Sequence, residues 1–295
     1  MDGIEIYELD YPTHEGVRLP KVEPLLRDAG KVINDIQDLK LGPEAVILAT
    51  FPRSGTHWVY EITHMLLTRN ANYNTVSREA TFLEGLPDLG PLQFYNHIVS
   101  THLQFKWLPQ QHVERGGKII YVIRNPKDVA VSFFELMRSC GFLREETFEY
   151  FLSEFYLGKR AIYGGWFQYN QTFIREAKAR KDQIIMLQYE TLKKNTLKEL
   201  KRLAEFLEVK IADPLLKEIA EKCQFDNLKT ADKSVRNDEA LSKIMRAVSL
   251  NEYPTIYRKG EIGDWKNYFT VAMSEAFDKT NADNMDDIGL EFEFE

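Results

Sequence analysis

The stretch of sequence that decides the fold reads Ala45-Val46-Ile47-Leu48-Ala49-Thr50-Phe51-Pro52-Arg53-Ser54-Gly55-Thr56-His57-Trp58. It begins as a short apolar run and turns at residues 52–55, where proline and glycine are typical turn residues. After the turn, apolar side chains recur on one face at a helical spacing, at Trp58, Val59, Ile62, Met65 and Leu66. The pattern predicts a strand, a loop and a helix in that order.

Two later segments repeat this order. Residues 118–123 form a second apolar run, which is followed by Asn125 as an N-cap and Pro126 at the first helical position. Residues 184–187 form a third apolar run, which leads into another helical pattern. Strands that are apolar on both faces and alternate with helices are typical of a mainly parallel β-sheet flanked by helices. The predicted fold class is therefore α/β, with further helices at residues 147–160, 165–179 and 213–223.

The composition predicts one globular domain. The chain has 295 residues, of which 44% are hydrophobic, so it can bury a sizeable core. No linker rich in glycine, serine or proline divides it, and no internal repeat is visible. We therefore expect a single domain over residues 1–295.

Charge and cysteine content narrow the class of protein. Lys and Arg number 38 against 45 Asp and Glu, a net charge of −7, which argues against a nucleic-acid coat or a polybasic membrane binder. Two cysteines, Cys140 and Cys223, are too few for a disulfide framework or a metal cage. The acidic N-terminal segment and the lack of an apolar run of about 18 residues predict a cytoplasmic protein with no membrane segment.

The loop after the first strand favours an anion. Its backbone N–H groups and the start of the following helix point into one concavity, as in phosphate-binding loops. A nucleoside-triphosphate loop of the type G-x-x-x-x-G-K-[ST] is not present, because the first glycine is missing and Arg53 precedes Ser54 and Gly55. The alternative is a tight turn in which Gly55 only supplies permissive backbone angles. The loop taken alone does not decide between the two.

Three motifs resemble those of the cytosolic sulfotransferases. Residues 50–58 resemble the Thr-Tyr-Pro-Lys-Ser-Gly-Thr-Thr-Trp loop of that family, residues 121–132 resemble its 3′-phosphate strand and helix, and residues 258–266 resemble its C-terminal nucleotide signature. The motifs occur in the family's order, and the resemblance spans about residues 50–275. It implies a P-loop-like phosphosulfate-binding loop, 3′-phosphoadenosine 5′-phosphosulfate (PAPS) as cosubstrate, and no metal.

The resemblance also implies which residues bind PAPS. The 5′-phosphosulfate is assigned to Arg53, Ser54, Gly55, Thr56 and His57. The 3′-phosphate is assigned to Arg124, Ser132, Arg258, Lys259 and Gly260, and the adenine to Trp58 and Phe225 as a stacking pair with Tyr189 at its edge. Taken singly, these are ordinary surface cations, helix serines and core aromatics. Only the motifs select them.

His102 is the predicted general base, and Arg53 is the predicted cation at the leaving group. Residues 99–103 match the family's Lys-Thr-His-Leu stretch, and composition alone does not choose among the six histidines. An imidazole with a reference pKa of about 6.5 is largely neutral at pH 7 and can accept the proton of an acceptor hydroxyl. The resemblance therefore implies transfer of a sulfuryl group to a hydroxyl or amine.

Three positions depart from the family pattern. Arg53 and Ser100 stand where relatives have lysine, and His57 stands where they have threonine. Arginine keeps the charge but replaces a compact ammonium with a planar fork, whereas Ser100 removes a charge. Two alternatives to an active sulfotransferase follow: a nucleotide-binding protein with weakened catalysis, and a P-loop kinase that uses ATP and magnesium, against which the loop sequence counts.

The resemblance extends to an acceptor pocket and a dimer contact. A small, largely apolar acceptor is expected near Phe82, Phe142, Trp166 and the neighbourhood of Tyr73. A homodimer contact is expected through Lys266, Thr270, Val271 and Glu275, with an ion pair inside one chain as the alternative. The charged segment 229–252 is either a mobile lid or a surface loop. No nucleic-acid partner is expected.

Overall fold

The fold centres on a four-stranded parallel β-sheet. The computed structural model describes residues 10–75, 78–143, 145–235, 256–285 and 288–295. The central strands are β3 (Val46–Thr50), β4 (Ile98–Thr101), β5 (Ile119–Ile123) and β6 (Ile184–Gln188), in the order β4-β3-β5-β6. Two short strands, β1 (Thr13–His14) and β2 (Val17–Arg18), form a separate antiparallel pair. The predicted α/β class with a mainly parallel sheet is confirmed.

Helices cover both faces of this sheet. They are α1 (Glu23–Gln37), α2 (Thr56–Thr68), α3 (Gln110–Glu114), α4 (Pro126–Ser139), α5 (Phe148–Phe151), α6 (Gly165–Ala179), α7 (Tyr189–Lys194), α8 (Thr196–Phe206), α9 (Asp213–Lys222), α10 (Phe225–Val235) and α11 (Val271–Met285). Every residue of β3 and β5 is buried, and alternate residues enter two separate core clusters. Ile47 and Tyr121 belong to one cluster, whereas Leu48 and Val122 belong to the other.

Local structure departs from the sequence-based prediction in three places. The helix expected at 147–160 ends early, because a π-turn at Leu152–Tyr156 follows α5 and the Leu157 N–H donates to the Leu152 carbonyl. Strand β4 and helix α1 were not predicted. Strand β4 was missed because it is short and carries two hydroxyl side chains. Of the predicted lid, residues 229–235 belong to α10, and the rest lies outside the described residues.

The sheet places the predicted site residues together. The phosphate loop follows β3, His102 follows β4, Arg124 follows β5 and Tyr189 follows β6. Because the strands are parallel, their carboxyl ends meet at one edge of the sheet, where ligands of such folds bind. Four separate segments of the chain therefore contribute to a single site.

Candidate active site

The loop after β3 is shaped by two residues with left-handed backbone angles. Arg53 has a φ of 70° and Gly55 a φ of 104°. Gly55 is also the residue before α2, and a β-carbon there would lie 2.9 Å from the Tyr189 ring. Glycine is therefore required at this position for both its φ angle and its close approach to Tyr189. The turn directs the N-terminus of α2 toward the carboxyl ends of the strands.

The Arg53 side chain crosses from this loop to α4. Its Nε donates to Ser132 Oγ at 3.0 Å, and its Nη2 donates to the Ile256 carbonyl at 3.1 Å. Arg124 Nη1 donates to the Arg53 carbonyl at 3.2 Å. Burial, followed by the charges of Arg124 and Arg258, lowers the pKa of Arg53 to about 10, so the guanidinium stays charged at neutral pH. Three arginines thus converge on one point.

A cavity of about 650 Å³ opens beside this cluster. It is lined by every predicted site residue except Ser54: Arg53, Gly55, Thr56, His57, Trp58, His102, Arg124, Ser132, Tyr189, Phe225, Arg258, Lys259 and Gly260. Ser54 is fully buried outside this lining, and its N–H donates to the Phe51 carbonyl. The Ser54 Oγ is shielded from solvent and forms no hydrogen bond within the described residues. Its predicted part in binding the 5′-phosphosulfate stays a prediction.

Several donors at the cavity lack a partner. Trp58 Nε1, Arg124 Nε and Arg258 Nε are shielded from solvent and form no hydrogen bond within the described residues. Buried donors are normally satisfied, because an unpaired one costs about 1–3 kcal/mol. These three unpaired donors and the charges of Arg53 and Lys259 make the cavity suited to a polyanionic ligand with polar edges.

Arg258 and Lys259 are held by an acidic residue that the sequence analysis did not select. Arg258 Nη2 lies 2.5 Å from Asp264 Oδ2, and Lys259 Nζ lies 2.5 Å from Asp264 Oδ1. Burial raises the pKa of Asp264, but hydrogen bonds from Lys259, Asn267 and Arg258 outweigh burial and lower the pKa to about 2. Asp264 therefore fixes both cations and partly neutralises them before any anion binds.

Gly260 approaches the Phe225 ring closely. It has a φ of 68°, and a β-carbon there would lie 2.1 Å from Phe225 Cδ2. Phe225 also contacts Tyr257 edge to face at 6.0 Å, and Trp58 contacts Tyr189 in the same manner at 5.2 Å. The structure thus places Trp58 and Phe225 on the wall of one cavity and packs each of them against a tyrosine.

His102 has one ring nitrogen committed and the other available. Its Nδ1 lies 2.8 Å from the Thr50 carbonyl oxygen, which only accepts, so Nδ1 carries the proton and donates. In the neutral ring Nε2 is then an acceptor. Burial, followed by the charge of Arg78, lowers the pKa of His102 to about 3, although the bond to Thr50 acts in the opposite direction. The imidazole is therefore neutral at physiological pH in the ligand-free chain.

Glu84 fixes the position of His102 from behind. Its carboxylate accepts the His102 N–H at 2.7 Å, the Thr101 hydroxyl at 2.8 Å and the Tyr163 hydroxyl at 3.2 Å. Glu84 is fully buried, and burial raises its pKa. The sequence analysis missed Glu84, because no local spacing signals a contact between residues on different elements.

Comparison with known proteins identifies the family. The sulfotransferase domain family matches residues 43–289, which is most of the chain. The chain belongs to the sulfotransferase family. The resemblance inferred from the three motifs is confirmed, and so is the expectation of a sulfotransferase enzyme rather than a kinase.

Relatives of this sulfotransferase match it nearly end to end. Human sulfotransferase 1E1 is 31% identical, over 92% of this chain and 94% of the relative. Sulfotransferase 1B1 of the dog is 34% identical, over 88% of this chain and 90% of the relative. Among solved structures, mouse sulfotransferase SULT7A1 complexed with PAP superposes with a TM-score of 0.72 at 26% identity, covering 92% of this chain and 93% of that one.

Apolar side chains form another part of the lining of the sulfotransferase cavity. Its wall includes Phe82 and Phe142, as expected, and also Phe133, Met137, Phe151, Phe155 and Ile162. Two expected acceptor residues do not line it. Trp166 is buried in the core against Phe292, and the Tyr73 hydroxyl donates to the Lys222 carbonyl. Aromatic residues in such stretches serve packing as often as binding, which is why sequence alone misplaced these two.

Metal-ligand groups, membrane-spanning helices and cysteines are the remaining features of this sulfotransferase. The described part of the chain contains no group of three or more His, Cys, Asp or Glu residues that could hold a metal ion. No helix in the same residues has both the length and the apolar character needed to cross a membrane. Both cysteines are buried, and they form no disulfide within the described residues.

Proposed function

We propose that this sulfotransferase transfers the sulfuryl group of PAPS to a hydroxyl or amine of a small, largely apolar acceptor. PAPS is the cosubstrate. The single observation that carries the proposal is the position of His102, whose Nε2 is an unprotonated acceptor in a cavity lined by both cationic and apolar side chains. The PAP complex of the mouse relative supports the same nucleotide class.

The cationic residues of the cavity suit the nucleotide. Arg53 and the N-terminus of α2 would hold the 5′-phosphosulfate, and Arg124, Ser132 and the turn at residues 258–260 would hold the 3′-phosphate. The unpartnered Trp58 Nε1 and the Phe225 ring suit a base with polar edges and flat apolar faces. A ligand with two separate anionic groups and an aromatic base satisfies all three features.

The reaction follows from these assignments. The acceptor oxygen or nitrogen attacks sulfur while its proton passes to His102 Nε2, and a new bond to sulfur forms. The bond from sulfur to the 5′-phosphate oxygen breaks, and its electron pair stays on PAP. Arg53 supplies the charge that meets this developing negative charge, as cations do in phosphoryl transfer. The products are the sulfated acceptor, PAP and one proton, which His102 returns to solvent.

The test is sulfate transfer with a matched pair of histidine variants. Radiolabelled PAPS is offered with a panel of phenols, steroids, alcohols and amines. His102→Ala should lower kcat by about 10²- to 10⁴-fold and leave the Kd of PAP unchanged. His14→Ala is the control, because His14 also packs on an aromatic ring, Trp107 at 5.4 Å, but does not line the cavity. Near-normal turnover of His102→Ala would overturn the assignment of the base.

A second candidate is a PAPS- or PAP-binding protein with weakened catalysis. The observation in its favour is that Arg53 is already hydrogen-bonded to Ser132 and to the Ile256 carbonyl, which restrains its movement toward a leaving group. Heat of PAP binding without transfer to any member of the acceptor panel would favour this candidate. Transfer by the unmodified chain excludes it.

We further propose that residues 1–295 form one cytoplasmic domain. We also propose that two copies of the chain form a homodimer through the segment 266–275. Val271 is 75% exposed, and Thr270 Oγ1 accepts the Met273 N–H at the start of α11. Within one chain Lys266 pairs with Glu295 at 2.8 Å rather than with Glu275. Solution scattering should give twice the chain mass of 34.4 kDa, and Val271→Asp should give the single mass. A single mass for the unmodified chain at high concentration would refute the dimer.

A further inference from the structure

The cavity wall beside His102 contains an arginine that no motif selected. Arg78 belongs to the 3₁₀ turn Arg78–Thr81, and its Nη1 donates to Ser100 Oγ at 3.1 Å. Ser100 lies on β4, and His102 comes two positions later, directly after the end of that strand. The arginine therefore brings a positive charge to the position where Ser100 has replaced a lysine of the family pattern.

The Arg78 side chain is held firmly. It is only 9% exposed, and its guanidinium lies over the Phe82 ring at 4.6 Å from the ring centre. The same Phe82 ring lies 5.1 Å from the His102 ring. Arg78 Nε is shielded from solvent and forms no hydrogen bond in the described part of the chain. A fixed cation with an unused donor thus lines the cavity next to the base.

Two carboxylates face this arginine. Glu79 Oε1 lies 3.6 Å from Arg78 Nη2 and 3.5 Å from His57 Nε2, and Glu84 contacts the backbone of His102. Both acidic residues are buried. Of the two, Glu79 lines the cavity, and its negative charge would repel an anionic group that approaches His102. A cation must offset that charge if a sulfuryl group is to lie there.

We propose that Arg78 is a further catalytic residue, which binds the oxygens of the transferring sulfuryl group on the side opposite Arg53. This inference rests on the proposed function. Arg53 meets the charge on the leaving oxygen, whereas Arg78 meets the charge on the sulfuryl oxygens as the group moves toward the acceptor in the transition state. A planar guanidinium suits this role, because it can donate to Ser100 and to an anion with different N–H groups.

The test compares Arg78→Met with Arg78→Lys. Methionine keeps an apolar stem on Phe82 but removes the charge, so kcat should fall by about 10²- to 10³-fold, as it does when one donor to a developing charge is lost. The Kd of PAP, which lacks the sulfuryl group, should stay within about twofold, while the Kd of PAPS should rise at least tenfold. Arg78→Lys keeps the charge and should retain both transfer and preference for PAPS.

Rescue from a second position separates catalysis from structure. Ser100→Lys in the Arg78→Met background restores a cation on the same wall and should recover at least tenfold in kcat. The control is Arg180→Met, because Arg180 also bonds a carboxylate, Glu176 at 2.8 Å, and lies over a phenylalanine outside the cavity. It should change neither kcat nor the Kd of PAPS.

The outcomes distinguish this inference from the proposed function. Normal transfer and normal PAPS affinity in Arg78→Met overturn the role of Arg78 and leave the proposed function standing. A loss that Ser100→Lys does not repair, in a double variant with unchanged thermal unfolding, also overturns it. If the unmodified chain neither transfers sulfate nor binds PAP, the proposed function itself fails and this inference fails with it.

Discussion

Gly260 offers the sharpest single test of the nucleotide site. A β-carbon at this position would lie 2.1 Å from Phe225 Cδ2, 2.6 Å from Cε2 and 2.8 Å from Cγ. Because the clash includes Cγ, rotation of the ring about its own axis does not relieve it, and the whole side chain must move. Gly260→Ala should therefore displace Phe225 from the cavity wall and weaken adenine binding.

The magnitude follows from two separate terms. Stacking of a base on an aromatic side chain contributes about 1–3 kcal/mol, so loss of the Phe225 contact should raise the Kd of PAP roughly 5- to 150-fold. Alanine at a φ of 68° adds a folding cost of about 1–2 kcal/mol. The first term affects binding and the second affects stability, so the two are measured independently.

Gly116 provides the matched control. It has a φ of 78°, but a β-carbon there meets nothing within 4 Å. It precedes β5, at the opposite end of the sheet from the cavity. Gly116→Ala carries the backbone cost without the clash, so its loss in thermal unfolding should not exceed that of Gly260→Ala, and the Kd of PAP by calorimetry should be unchanged. If both variants bind PAP like the unmodified chain, the assignment of Phe225 and Gly260 to the nucleotide site is refuted.

Three further predictions concern the catalytic residues. The pKa of His102 is lowered to about 3, so this base stays unprotonated as pH falls. The pH profile of kcat/KM should therefore show no acid limb from His102 between pH 8 and 5. An inflection near pH 6.5 that disappears in His102→Ala would contradict this. Arg53→Lys should remain active, because lysine keeps the charge while it removes the hydrogen bond from Arg53 Nε to Ser132 Oγ. Inactivity of this variant with intact PAP binding would count against a simple charge role. Glu84→Ala leaves three donors unpaired and should lower the free energy of unfolding by at least about 3 kcal/mol in denaturant titrations. Glu84→Gln keeps one acceptor oxygen, which can serve the His102 N–H and the Tyr163 hydroxyl, and should lose less than half as much. Equal losses would be the contrary result.

Much of the site could be predicted because its residues lie in short, contiguous motifs. The strand, loop and helix around residues 45–68 follow from local apolar periodicity, and the structure reproduces them as β3 and α2. The stretch 99–103 and the third motif fix where His102 and Arg258 stand in the chain, and both line the cavity. Ser54 differs from the other predicted residues, since it is buried and does not line the cavity, although its place in the motif is regular.

What the sequence by itself determined is the set of local structures and the family, because turns, helix starts and motif spacing depend on neighbouring residues. What only the tertiary structure decided is how distant side chains meet: Asp264 with Arg258, Glu84 with the backbone of His102, and Arg78 with Ser100. These contacts depend on the order of strands in the sheet and on which turns pack against their ends. The tautomer of His102 belongs to the same class, since it is fixed by a carbonyl that the neighbouring strand β3 presents.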